Sequence, residues 1–265
     1  MIRAAAFALA AGLAATAAQA ETQPIVSADL MPGWRAADGT HVAALRVRLA
    51  PGWKTYWRAP GDAGIPPAFD WSGSRNVAGV QLYWPRPEVF TFNGMRTLGY
   101  ARELVLPVRI APRDKDAPIR LEAAVDMGVC RDICIPASLD LSADLLPGGA
   151  ADPVIRAAMA ARPLTGDEAG VGRHACTVDA AGQGLRVTAE VEVPPLGPGE
   201  MAVIEAGSET LWVGEARTAR QGGRLVAVAD VVPLTNAPVA LDRRGITVTL
   251  LAEGRAVELH GCPAR

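Results

Sequence analysis

Short alternating runs of apolar and polar residues, broken by glycine and proline, fill the chain from Pro24 to Leu146. His41–Leu49 (HVAALRVRL) alternates well, and 77–84, 104–110, 119–127 and 139–145 follow the same pattern. Alternation puts successive side chains on opposite faces of an extended strand. Strands of this length, separated by turn residues, predict a β-sandwich. A second series follows at 184–193, 201–206, 224–232, 246–252 and 256–260. One segment between the two series reads differently. Asp152-Pro153 precedes an alanine-rich run that ends before Pro163. This predicts one short helix, with Asp152 as N-cap and Pro153 as first helical residue. Glycines flank it at 148, 149, 166, 170 and 172. Residues 148–172 are therefore expected to link two domains, 21–147 and 173–265. The expected fold class is all-β, with a second β-sandwich smaller than the first.

The first twenty residues fit neither pattern. Arg3 supplies a positive charge, a short apolar run follows to about Thr16, and Ala18-Gln19-Ala20 has the small-x-small form. That combination predicts a cleaved secretory signal over residues 1–20. The run is shorter than the roughly 20 residues needed to cross a bilayer. No later segment reaches that length without charges, so no membrane span is expected in the mature chain. A periplasmic location is expected.

Composition narrows the function. The 26 basic and 28 acidic residues nearly balance. A protein held on nucleic acid by phosphate contacts needs a basic excess, so no nucleic-acid partner is expected. Gly61-Asp-Ala-Gly64 lacks the lysine and spacing of a phosphate loop, and no Gly-x-Ser-x-Gly elbow is present. No cofactor is expected. Among the aromatics, only Trp212 follows the connecting segment. Core packing uses large aromatics, but the excess before the linker predicts that some line a recognition surface. His41, in an alternating strand, is expected to be an ordinary surface residue.

Four cysteines allow three pairings. The simplest is local, Cys130 with Cys134 and Cys176 with Cys262. In the chain-entropy model the long loop stabilises by about 4–5 kcal/mol and the short one by only about 2. The long bond, tying the start of the second domain to its end, reads as structural. The short pair suits thiol–disulfide exchange, because its second bond forms intramolecularly. Pro136 disfavours helix at Ile135, so Cys130 and Cys134 are expected to flank the turn Arg131-Asp132-Ile133 of a hairpin. Arg131 favours a thiolate and Asp132 opposes one. Spacing alone leaves both a redox pair and an inert staple open. His174-Ala-Cys176 and His260-Gly-Cys262 echo each other. If their strands paired, the four side chains would make a zinc or copper site. An oxidising compartment favours the disulfide instead.

Two stretches carry a family resemblance: Pro51-Gly-Trp-Lys-Thr-Tyr-Trp-Arg-Ala-Pro-Gly-Asp-Ala-Gly-Ile-Pro66 and Cys130-Arg-Asp-Ile-Cys-Ile-Pro136. Together they resemble the N-terminal periplasmic domain of DsbD/ScsB-type thiol:disulfide interchange proteins, over about residues 24–147. The resemblance implies an immunoglobulin-like β-sandwich and a component of a thiol–disulfide oxidoreductase system. It implies that Cys130 and Cys134 pass reducing equivalents to a thioredoxin-fold partner. Glu88–Gly94 resembles the family's cap loop, with Phe90, Phe92, Asn93 and Gly94 as its key residues. Tyr100 resembles a tyrosine near the family's site, beside Arg131 and Asp132. Known members separate their cysteines by five residues, against three here. The membrane-embedded and C-terminal thioredoxin-like domains of the family are absent from these 265 residues. A separate membrane protein is therefore the expected electron donor. The competing reading is a non-enzymatic copper-, zinc- or partner-binding protein whose disulfides are structural.

Overall fold

The computed structural model describes residues 24–61, 63–92, 94–235 and 240–265, so the expected signal falls outside the described residues. Ten strands precede the helix: β1 (Val26–Arg35), β2 (His41–Leu49), β3 (Lys54–Tyr56), β4 (Ala68–Asp70), β5 (Val77–Leu82), β6 (Glu88–Phe92), β7 (Met95–Ala101), β8 (Glu103–Pro112), β9 (Ile119–Cys130) and β10 (Cys134–Leu145). They form two facing sheets. One has the order β1-β2-β8-β5. The other has the order β10-β9-β3-β7-β6, with β4 also paired to β9. The inward residues of β2, β8 and β9 fill the space between them, among them Leu45, Val47, Leu106, Leu121 and Val125. This is the β-sandwich that the alternation predicts, with the immunoglobulin-like form that the resemblance implies.

Helix α1 (Pro153–Ala160) begins where the capping signal places it. The Asp152 carboxylate accepts hydrogen bonds from the backbone N–H groups of Val154 (2.7 Å) and Ile155 (3.1 Å). Such a cap contributes about 1 kcal/mol. The helix packs on the outer face of the first sheet, where Ile155 meets Val42 and Ala44. Strand β2 is thus buried on both faces along its first five residues.

The inner face of the same strand corrects the reading of His41, which alternates onto the side of Ala43 and Leu45. It is 1% exposed. Its Nε2–H donates to the Pro32 carbonyl (2.6 Å), and its Nδ1 accepts from Arg35 Nε (3.3 Å). Burial lowers its pKa, and Arg35 adds to that effect. This neutral histidine is part of the core.

Nine strands follow: β11 (Leu164–Thr165), β12 (His174–Ala181), β13 (Gly184–Glu192), β14 (Met201–Glu205), β15 (Leu211–Val213), β16 (Arg217–Gln221), β17 (Arg224–Pro233), β18 (Thr247–Ala252) and β19 (Arg255–His260). They form the sheets β11-β19-β18-β14 and β12-β13-β17-β15, with β16 on β17. Met201, Leu251 and Ala256 of this second sandwich join the apolar cluster that begins in the first. The two sandwiches therefore share packing as well as chain.

The aromatics mostly serve the core. Trp53, Tyr56, Trp57, Trp84 and Tyr100 are buried. The tryptophan that is exposed, at 44%, is Trp212 of the second sandwich. The expected recognition aromatics before the linker are therefore largely packing residues.

Candidate redox site

Strands β9 and β10 form a long hairpin in which Cys130 stands directly opposite Cys134. Their Cα atoms are 4.1 Å apart and the two sulfurs are bonded. Arg131, Asp132 and Ile133 make the turn, closed by a hydrogen bond from Arg131 N–H to the Ile133 carbonyl (3.1 Å). The alternating burial of β9 stops at Gly128, and Gly128, Val129 and Cys130 are all buried. Alternation fails there because both faces of the strand are covered.

The cover on the outer face comes from β3 and the segment after it. Lys54 pairs with Cys130 in the sheet. Paired residues and residues two apart share a face, so Lys54, Tyr56 and Cys130 project together. The Tyr56 hydroxyl donates to Cys130 Sγ at 2.9 Å and lies 3.3 Å from Cys134 Sγ. Burial raises the Tyr56 pKa, so the hydroxyl keeps its proton at neutral pH. Gly128 makes room for this contact. A Cβ there would lie 2.9 Å from Ile65 Cβ and 3.2 Å from the Tyr56 ring.

The two sulfurs differ in access. Cys130 is 2% exposed, whereas Cys134 is exposed. Arg131 and Asp132 pair with each other at 3.0 Å, and Arg131 also lies over the Trp53 ring at 5.5 Å. Their opposed influences on a thiolate are therefore largely spent on one another. Ile133, at the turn, is 68% exposed. Such a side chain suits contact with a partner surface.

The cap segment forms the β6–β7 hairpin. Phe92 pairs with Met95, and Gly94 has φ +80°, as a tight hairpin connection requires. Asn93 lies outside the described residues. Phe90 is half-buried, with Lys54 Nζ 4.8 Å from its ring centroid. The same Nζ donates to Thr97 Oγ1 (3.1 Å), so Lys54 connects the site's strand to the cap hairpin. Partial burial lowers the Lys54 pKa. Tyr100 takes a different place. Its hydroxyl donates to the Pro85 carbonyl (2.7 Å) and its ring stacks with Trp84 inside the sandwich. The tyrosine at the sulfurs is Tyr56. Tyr56 and Lys54 both lie within the Pro51–Pro66 motif, and membership of that motif was the available signal for both.

Cys176 and Cys262 are bonded and buried. Strands β12 and β19, which carry His174 and His260, lie in different sheets. The four-residue zinc or copper set therefore does not assemble, and its two sulfurs are bonded to each other. His260 instead contacts Glu258 Oε1 (3.1 Å) and Thr247 Oγ1 (3.3 Å). Among the described residues, no cluster of three His, Cys, Asp or Glu side chains is arranged for a metal ion.

The immunoglobulin-like sandwich that carries this hairpin has a counterpart among known proteins. Residues 27–145 match the family model described as "Thiol:disulfide interchange protein DsbD, N-terminal". The first sandwich is of the DsbD N-terminal type. The crystal structure of the N-terminal periplasmic domain of ScsB from Proteus mirabilis superposes with a TM-score of 0.64. It is 23% identical and covers 91% of this chain and 92% of that one. The shared fold thus extends beyond the DsbD-type sandwich into the second. No curated protein sequence matches the chain.

Changing Tyr56 to Phe removes one hydrogen bond and little volume. A bond to a charged group contributes about 1.5–3 kcal/mol, so losing a donor to the departing Cys130 thiolate slows exchange about tenfold or more. Stopped-flow reduction of the Cys130–Cys134 bond by dithiothreitol reads this. An unchanged rate means the hydroxyl only packs.

Proposed function

We propose that this is a periplasmic thiol–disulfide interchange protein that reduces a thioredoxin-fold partner through Cys130 and Cys134. In the reduced form, the Cys134 thiolate attacks one sulfur of the partner's disulfide. That S–S bond breaks, the partner's other sulfur leaves as a thiolate, and a mixed disulfide forms. The Cys130 thiolate then attacks Cys134 Sγ and releases the partner as a dithiol. Two electrons pass to the partner, and Cys130–Cys134 ends as the disulfide. A donor dithiol restores the pair by the same steps in reverse, with Cys130 as leaving group.

The observation that carries this reading is the asymmetry at the turn. One sulfur is exposed, the other is buried, and a protonated tyrosine touches both. Attack is directed to the exposed sulfur, and the buried one is provided with a donor for its developing charge. The exposed Ile133 and half-exposed Ile65 add an apolar rim on which a protein partner can seat. The DsbD-type match and the periplasmic origin of the ScsB relative support the class of activity and the compartment. Among the described residues, no helix is long and apolar enough to cross a membrane.

Differential alkylation, read by mass, tests the proposal. Mild reduction is expected to open Cys130–Cys134 while Cys176–Cys262 stays closed. A Cys130–Cys134 bond that resists reduction at about −300 mV, the range of structural disulfides, would overturn it.

A further inference from the structure

We propose that the second sandwich clamps the redox site of the first, with Arg58 and Arg96 as positioning residues. The inference rests on the exchange reading of Cys130 and Cys134. Arg58 follows Tyr56 by two residues. Its guanidinium lies over the Trp57 ring at 4.3 Å and reaches across to the second sandwich. There Nε and Nη2 hold both oxygens of Glu205 (2.9 and 2.8 Å), and Nη2 also meets Glu258 (2.5 Å). Arg96, on β7 of the cap hairpin, pairs with Glu215 between β15 and β16. Two walls of one site are thus fastened to one neighbour.

Those walls are joined to each other. Trp57 N–H donates to the Leu98 carbonyl (2.9 Å), and Leu98 N–H donates to the Pro60 carbonyl (3.0 Å). A Cβ on Gly61 would lie 2.8 Å from the Arg96 carbonyl oxygen, so segment and hairpin run in close contact. On its other side the hairpin meets the site, where Phe90 and Thr97 hold Lys54. Displacing the hairpin from Lys54, the sheet neighbour of Cys130, therefore pulls on the arginine pairs.

Beside the site the contact is incompletely packed. Between the sandwiches lies a cavity of about 690 Å³, lined by Arg58, Pro60 and Arg96 on one side and Ile204 and Trp212 on the other. Apart from the packing of Met201, Leu251 and Ala256 against the first sandwich, the two bodies meet here across that cavity and its flanking charge pairs. The pairs are unequal. Arg58 and its carboxylates are about one-fifth to one-quarter exposed, and Arg96 and Glu215 are more open. Arg58 is the pivot and Arg96–Glu215 the latch. A docking partner that lifts the hairpin breaks the weaker pair first.

The test uses Arg96→Gln, Glu215→Gln and the charge swap Arg96→Glu with Glu215→Arg. Reduction of Cys130–Cys134 by dithiothreitol is timed, with each pair followed by mass, beside the thermal midpoint. Both single variants are expected to react about two- to fivefold faster at an unchanged midpoint, the range an exposed ion pair supports. The swap is expected to restore the wild-type rate. Single variants that react at the wild-type rate, or a swap that fails to restore it, overturn the clamp and leave the exchange reading intact. A wild-type bond that resists the thiol overturns both.

Discussion

A Cys130→Ser variant is expected to accumulate a mixed disulfide with a thioredoxin-fold protein through Cys134, and a Cys134→Ser variant is not. Turnover is expected to vanish in both, because each lacks half of the dithiol. The difference in trapping follows from access. Thiol–disulfide exchange needs the incoming sulfur to approach along the bond being broken. Cys134 is exposed at the turn, whereas Cys130 is 2% exposed beneath Tyr56 and the segment behind it. Attack through Cys130 requires that cover to move. An opening that costs about 2.7 kcal/mol slows the reaction about a hundredfold. Non-reducing electrophoresis of each variant, mixed with an oxidised thioredoxin-fold domain, reads the adduct. Equal trapping by both variants would show that the cover is too loose to select a sulfur. Trapping by Cys130 alone would reverse the roles assigned here.

The hairpin that presents these sulfurs was largely legible in the sequence. Pro136 and the alternation of 119–127 and 139–145 place Cys130 opposite Cys134 without any structure. Strand β2 and helix α1 were legible for similarly local reasons, a clean period of two and a capped, proline-started turn. Strand β1 was not. Its pairing with β2 shifts between Met31 and Trp34, around Pro32 and Gly33, and that irregularity hides the period. Three residues of β3 are too few to show any period, yet they carry Lys54 and Tyr56. His41 was misplaced because its side chain lies on the same face of β2 as Ala43, Leu45 and Val47, the face that packs between the sheets, where Pro32 and Arg35 of β1 supply its polar partners. The resemblance drew attention to Tyr100, whereas the contact with the sulfurs is made by Tyr56. The arginine clamp was beyond sequence reasoning altogether. Arg58 finds its carboxylates 147 and 200 residues away, and charge alone does not single them out among 28 acidic residues.

Replacing both Cys176 and Cys262 by alanine is expected to destabilise the second sandwich by about 4–5 kcal/mol. The bond closes a loop with a sequence separation of 86 and joins β12, in one sheet, to the chain just beyond β19, in the other. Both cysteines are buried, so small cavities add to the lost constraint. Hydrogen bonds from Cys176 N–H to the Pro263 carbonyl and from Arg243 Nη1 to the Cys176 carbonyl, each 2.8 Å, hold the same corner but do not replace a covalent link. For a domain of this size the loss corresponds to a fall in midpoint of about 20 °C or more. Calorimetry is expected to resolve a new low-temperature transition belonging to the second sandwich. The DsbD-type sandwich, whose own disulfide is untouched, is expected to unfold later. A single transition within about 5 °C of the wild type would mean that this bond constrains little, against the loop-closure estimate. The same variant bears on the clamp. Between its two transitions Glu205, Glu258 and Glu215 no longer have a folded frame. Reduction of Cys130–Cys134 should then accelerate beyond the ordinary effect of temperature, because the arginines that fasten its walls have lost their partners.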